Sequence, residues 1–220
     1  MIKKATNTTF TLGIISVINF LLVILISNIL GKEGVSEMGF IVLGISFIVM
    51  LNNLIGGASL VYLVPRKPVS SLFLISYSWS FVSVFIMGTI LYVFELVPMD
   101  YFVYVVIIGV LESFFSINNQ ILLGKQKIGN HNFLKIFQKI IQIIVFILLG
   151  ITIQNFVIAI VVSQILTLII SAFLIRPFIK FSEANDFKNI FLKKLKLYRV
   201  KITTKCFIIK ISLIENYLIS

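Results

Sequence analysis

Glu112 is the residue of this 220-residue chain best placed to do chemistry. It is the only charged residue between Tyr101 and Leu123, a stretch dominated by Val, Ile, Leu and Phe. A carboxyl group in such surroundings can take up and release a proton, or accept hydrogen bonds from a polar ligand. A charge at the centre of a hydrocarbon layer costs at least about 2.5–3.5 kcal/mol. Such an acid therefore faces a protein interior, is protonated, or finds a partner; a bond to a neighbouring helix would satisfy it without any further role. Amides accompany it along the apolar runs: Asn19, Asn52, Asn53, Asn118, Asn119 and Gln142, with Gln120, Gln138 and Gln164 beside them. Each alone is most simply a bond between helices, worth about 0.6–2 kcal/mol. Together they point to a wet cavity, because an amide both donates and accepts and so suits hydroxyl groups. Glu112, Asn19, Asn52, Asn53, Asn118, Asn119 and Gln142 are the candidates for its lining.

No catalytic constellation accompanies them. The chain has no Gly-rich phosphate loop, no H-E-x-x-H and no nucleophile elbow, so the sequence names no enzyme chemistry. Cys206 is the only cysteine, which leaves neither an internal disulfide nor a Cys-based zinc site. His131 falls in a polar loop, solvated, with no second ligand near it in sequence. No metal and no cofactor is expected.

The elements that position these residues follow from composition. The chain is 59% hydrophobic and 12% charged, with mean hydropathy +1.11. A soluble domain is about 45–50% apolar and about 25% charged. A soluble fold of this size could not hide so much apolar surface. The net charge of +11 is uneven: residues 188–220 hold eight basic residues and a single acid, Glu215. The remaining cations sit in short loops between apolar runs, which argues against nucleic acid as a partner. Met1-Ile2-Lys3-Lys4 imitates the start of a secretory signal, but the run from Ala5 to Gly31 is too long and no A-x-A site follows.

The stretch from Gly31 to Lys67 shows the organising unit. A charged turn, Gly31–Glu37, precedes an uncharged run from Met38 to Pro65, and Arg66-Lys67 closes it. About 20 apolar residues suffice to cross a bilayer. The unit repeats, and predicts an all-α membrane protein, a six-helix transmembrane bundle over residues 1–186. Its spans fall near 9–30, 38–64, 71–94, 101–123, 133–153 and 156–178. No charge occurs from Ile140 to Ile175. As one helix that stretch would be about 54 Å long, far more than the hydrocarbon core of about 30 Å. It must fold back, and Gly150 with Gln154-Asn155 marks the turn. Lys135 and Lys139 are expected on the first turns of span five. Gly56-Gly57 serves either close helix packing or a hinge. Tyr62, Tyr92 and Tyr101 suit an interfacial belt, and Trp79 is expected deeper.

Loop charges give a direction. One side receives Lys3, Lys4, Arg66, Lys67, Lys125, Lys127, Arg176 and Lys180; the other receives only Lys32, beside Glu33, Glu37, Glu95 and Asp100. The positive-inside rule places both ends in the cytoplasm. Arg66, Lys67, Lys125 and Lys127 read first as topology signals, with contact to anionic headgroups as a second role. Residues 187–220 form a basic cytoplasmic tail. Its first part can be an amphipathic helix on the membrane surface; beyond Leu197 apolar and polar residues alternate and no span fits.

Two stretches carry a resemblance to a family: I-S-N-I-L-G-K-E-G-V-S-E-M-G-F (Ile26–Phe40) and L-N-N-L-I-G-G-A-S-L-V-Y-L-V-P-R (Leu51–Arg66). The loop Gly124–Asn132 adds to it. The chain resembles the start of the polysaccharide-biosynthesis flippases, the Wzx-like branch of the multidrug/oligosaccharidyl-lipid/polysaccharide superfamily, over roughly residues 5–185. The resemblance implies two facing six-helix bundles in a bacterial cytoplasmic membrane. It also implies a lipid-linked oligosaccharide as the ligand, carried as undecaprenyl-pyrophosphate units, with membrane lipids and polysaccharide-assembly proteins as neighbours. This chain would supply one bundle, with a truncation or a shifted reading frame near Leu197. The alternatives are a self-contained six-span transporter or membrane subunit, and, on weaker grounds, a membrane glycosyltransferase or polymerase.

Overall fold

Long runs of Ile, Leu, Val and Phe leave the backbone no water to bond with, and a helix satisfies every peptide group within its own segment. The computed structural model describes residues 2–179, with side chains over 8–179. These residues are mostly helical, with short turns between the helices, and hold no strand. The helices are α1 (Ile2–Gly56), α2 (Ala58–Leu63), α3 (Val69–Val93), α4 (Met99–Gly124), α5 (Ile128–Leu149) and α6 (Ile153–Ile175), followed by a 3-10 turn at Arg176–Phe178. The tail at 187–220, Lys180 and the side chains of Lys3 and Lys4 lie outside the described residues.

Five of the helices are long and apolar enough to cross a membrane, as in a multi-pass membrane protein. The sequence leads to an expectation of six, and the difference lies in α1. Its 55 residues run through the expected turn at Gly31–Glu37, and the only non-helical residue inside it is Gly31, at φ 67° and ψ −159°. That region of backbone space is essentially closed to residues with a side chain. The reversal therefore needs one residue rather than seven, and Lys32, Glu33 and Glu37 are helical. Asn19 before the break and Ser46 after it line one cavity. A straight helix would separate them by about 40 Å, so the two arms of α1 fold against each other.

Other boundaries shift by a few residues. Span two stops being continuous at Gly56-Gly57, where α1 ends and the short α2 begins. A Cβ on Gly57 would meet the carbonyl oxygen of Asn53 at 2.5 Å, so this glycine lets the chain turn back on its own previous turn. Pro68 and Pro98 stand at the N-caps of α3 and α4. The fold-back after α5 is where the sequence puts it. Gly150 has φ 94°, Thr152 caps α6 by accepting from the Asn155 amide at 3.2 Å, and the Asn155 side chain donates to the carbonyls of Leu149 and Gly150. Helix α5 starts at Ile128, not near 133, so His131 and Asn132 are helical and buried rather than in a solvated loop. Helix α6 correspondingly starts at Ile153 and not near 156.

The core has two apolar parts. One gathers Ile26, Ile41, Ile48, Leu91, Val97, Val105 and Phe156 towards the end that carries Gly31, Glu95 and Gly150. The other gathers Val64, Val69, Leu122, Leu134 and Ile175 at the end that carries Arg66, Lys67, Lys125, Lys127 and Arg176. Between them lies a layer of buried polar side chains, including Asn52, Ser80, Ser113, Asn118, Gln138 and Gln164. Helices meet closely where glycine permits it. A methyl group at Gly109 would lie 2.6 Å from Ile48 Cδ1 and 2.9 Å from its Cγ2, whereas Gly13 has nothing within 4 Å. Gly109→Val should therefore cost about 1–3 kcal/mol by overpacking, and Gly13→Ala should be neutral. Thermal unfolding of the purified variants checks this; equal midpoints would mean that α1 and α4 do not pack at Gly109.

Candidate functional site

The polar layer is set by helix register. Glu112 stands at the midpoint of α4, Gln164 at that of α6, and Gln138 and Lys139 straddle that of α5. Each is about 15–20 Å from either end of its helix at 1.5 Å per residue. Along α5, Lys135, Gln138, Lys139 and Gln142 follow an i, i+3, i+4, i+7 spacing, which places them on one face.

Gln138, Lys139 and Gln142 of that face line a cavity of about 630 Å³. The other walls come from α4, α6 and both arms of α1, with Asn19, Ser46, Asn53 and Glu112 among the polar lining. The volume lies within the usual range for small-ligand pockets, about 300–1,000 Å³. Glu112 is the hub. Its Oε2 accepts from Gln138 Nε2 at 3.0 Å and from Gln164 Nε2 at 2.5 Å, which ties α4 to α5 and α6. Lys139 Nζ donates to Gln142 Oε1 at 3.1 Å. Glu112 lies within electrostatic reach of Lys135 and Lys139, yet no ion pair within 4.0 Å joins it to either. The amide oxygen of Gln164 is buried without a partner. The arrangement offers both donors and acceptors to a polar group in the middle of an otherwise apolar molecule.

The seven lining candidates divide. Glu112, Asn19, Asn53 and Gln142 line the cavity. Asn52 does not: it accepts from Ser80 Oγ at 2.7 Å and reaches the Ser113 carbonyl at 3.5 Å, fully buried between α1, α3 and α4. Nor does Asn118, which accepts from Tyr77 OH at 2.8 Å and donates to Ser171 Oγ at 2.8 Å, joining α3, α4 and α6. These two are the interhelical bonds that the sequence offered as the alternative. Asn119 is also buried; its carbonyl meets His131 Nδ1 at 3.2 Å, and its own amide atoms have no partner. His131 is thus a joint between α4 and α5. Trp79 bonds the Leu51 carbonyl at 3.3 Å. Among the cations, the Arg66 guanidinium lies 3.7 Å from the Tyr62 ring centroid and Lys125 Nζ 5.9 Å from that of Phe178. Arg66, Lys67 and Lys127 are exposed at one end of the molecule, away from the cavity.

Lys135 and Lys139 are expected on the first turns of a span starting near 133; they lie instead on the third and fourth turns of a helix starting at Ile128. The signal that identifies them is the Lys135–Gln142 polar stripe. Among the described residues no group of His, Cys, Asp and Glu is placed to hold a metal ion.

Neither protein-family models, nor characterised proteins, nor solved structures give a match to this chain.

Proposed function

We propose that this chain is a six-crossing bundle of a bacterial cytoplasmic membrane, with both ends inside. We further propose that it works as one wall of a transporter for lipid-linked oligosaccharide units. The observation that carries the reading is the cavity at mid-height, where Glu112, Gln138, Lys139 and Gln164 meet at the midpoints of three helices. Charged side chains at membrane depth are expensive and mark pathways, and transporter sites lie near the bilayer midplane. The break at Gly31 supports six crossings, since it divides α1 into two arms of membrane-spanning length. The gathering of Arg66, Lys67, Lys125, Lys127 and Arg176 at one end supports the orientation. The sugar-phosphate ligand and the facing bundle, supplied by a second half or a second copy, rest on the resemblance to the polysaccharide flippases. In this reading alternating access is the rocking of one bundle against the other around the cavity.

The test of the frame is topology. Reporter fusions after Lys67 and Lys127 should read cytoplasmic, and fusions at Glu33, Glu95 and Asn155 external. An external signal at Lys127 would overturn the orientation. The test of the activity is expression in a strain lacking its own flippase. A single bundle lacks the facing wall, so the 220-residue chain by itself should not restore surface polysaccharide, and restoration would make a pair of six-crossing units the working form.

A further inference from the structure

We propose that Glu112, Lys139 and Gln164 form a binding site for an uncharged, hydroxyl-bearing group, with the two charges acting as a split counter-ion pair that holds the group between them. The inference deepens the transport reading, on which it rests, by naming the part of a ligand that this cavity grips.

The argument is a count of unused hydrogen-bonding capacity. Both bonds to Glu112 arrive at Oε2, and Oε1 receives none. An ionised carboxylate has about four acceptor positions, so this side of the group is available. Gln164 is 3% exposed, and its Oε1 has no partner although its Nε2 is committed to Glu112. A buried polar atom left unpaired is rare and calls for a partner. Lys139 uses one of its three N–H groups on Gln142 and keeps two. The cavity therefore presents unused acceptors on α4 and α6 and unused donors on α5, all at the same height. Lys135, one turn nearer the basic end, is within electrostatic reach of Glu112 but does not line the cavity, so the lining holds one cation and one acid.

A hydroxyl matches this pattern because it donates once and accepts through two lone pairs. It can donate to Glu112 Oε1 or Gln164 Oε1 while accepting from Lys139 Nζ. An anion would meet Lys139 but also face Glu112; a cation would meet Glu112 but also face Lys139. Each charged ligand gains one contact and suffers one repulsion, whereas a neutral hydroxyl uses both. No ion pair within 4.0 Å joins the carboxylate to the ammonium, so neither charge is consumed by the other.

The experiment uses the purified full-length chain in nanodiscs, with three probes that share a sugar ring: methyl glucoside, glucose 1-phosphate and glucosamine. Methyl glucoside should raise the unfolding temperature saturably, and the two charged sugars should bind at least about tenfold more weakly. Glu112→Gln, Lys139→Met and Gln164→Leu should each weaken glucoside binding about tenfold, the scale of one hydrogen bond to a charged group. The exchanged pair Glu112→Lys with Lys139→Glu should bind more tightly than either single charge-reversed variant, because the counter-ion pair is restored. Tighter binding of glucose 1-phosphate, dependent on Lys139 alone, would overturn the proposal in favour of an anion site. Stabilisation by none of the sugars would overturn it in favour of ordered water between the groups. Wild-type binding is read without any variant, so a misfolded substitution does not leave the question open. The topology fusions read the transport frame separately: sugar binding lost with six crossings intact sinks only this inference, and altered crossings with sugar binding intact sink only the frame.

Discussion

Glu112→Lys should weaken assembly of the bundle by roughly a hundredfold or more, while Glu112→Gln should insert and fold. The lysine variant places a second ammonium in a cavity that already holds Lys139, and removes the acceptor on which Gln138 and Gln164 converge. An uncompensated charge at mid-depth costs at least about 2.5–3.5 kcal/mol. At 1.36 kcal/mol per factor of ten that is a drop of roughly a hundredfold or more in the folded-to-unfolded ratio. Glutamine keeps the shape and an oxygen that can accept, and only the negative charge is lost. Under the transport reading proposed above, its effect should fall on transport rather than on insertion. Protease resistance in membranes reads the first quantity and surface polysaccharide the second. Normal folding of Glu112→Lys would mean that the carboxylate faces outwards, and full transport by Glu112→Gln would reduce it to a structural tie between helices.

The other large effect is expected at Gly31. Its φ of 67° with ψ of −159° lies in a region that only glycine occupies readily, and nothing lies within 4 Å of a methyl group added there. Gly31→Val therefore probes the backbone alone. The strain is about 1–3 kcal/mol, and the relaxed alternative is continuous helix, which as one 55-residue rod would be about 80 Å long. Bearing the strain keeps the break at the cost of stability, whereas the continuous helix takes Asn19 away from Ser46 and opens the cavity. The ratio of native to opened molecules should fall between about fivefold and a hundredfold, read by maleimide accessibility of single cysteines at 19 and 46 in a background without Cys206. An unchanged accessibility pattern would show that the arms of α1 do not depend on Gly31. Gly13→Ala, in open space on the same helix, is the control.

Much of this was legible beforehand, and what was hidden has physical causes. The helices announce themselves because each charge-free run is long enough to need a turn, as at Gly150, where length alone forces the fold-back. Which glycines reverse the chain is less legible, since Gly31 and Gly34 look alike in sequence and only one leaves helical geometry. The charged residues Lys32, Glu33 and Glu37 suggest a long turn, yet charges at a helix end near water do not break a helix. For the site, residue type identified Glu112 and the amides, but facing decides their role. Asn52 and Asn53 are neighbours in sequence and lie about 100° apart around a helix. One is consumed by Ser80, while the other meets the cavity. Lys139 lies at mid-depth because α5 begins at Ile128; a start at Phe133, five residues later, would put the same cation nearer the surface.

The convergence of three helices on Glu112 also has a consequence in time. The carboxylate is made 26 residues before Gln138 and 52 before Gln164. At ~5–20 residues per second of synthesis, α4 waits about 1 to 10 s for its partners. During that interval it carries an unsatisfied acid at its midpoint, and hydrocarbon is the worst place to hold it. Helix α4 should therefore linger beside the insertion machinery until α5 and α6 arrive, and enter lipid with them as a group. Ribosome-bound chains stalled near residue 150 should crosslink to that machinery through α4, whereas in chains extended beyond α6 the crosslink should be gone. Assembly of this protein is then a queue with Glu112 at its head, released by the last glutamine to be made.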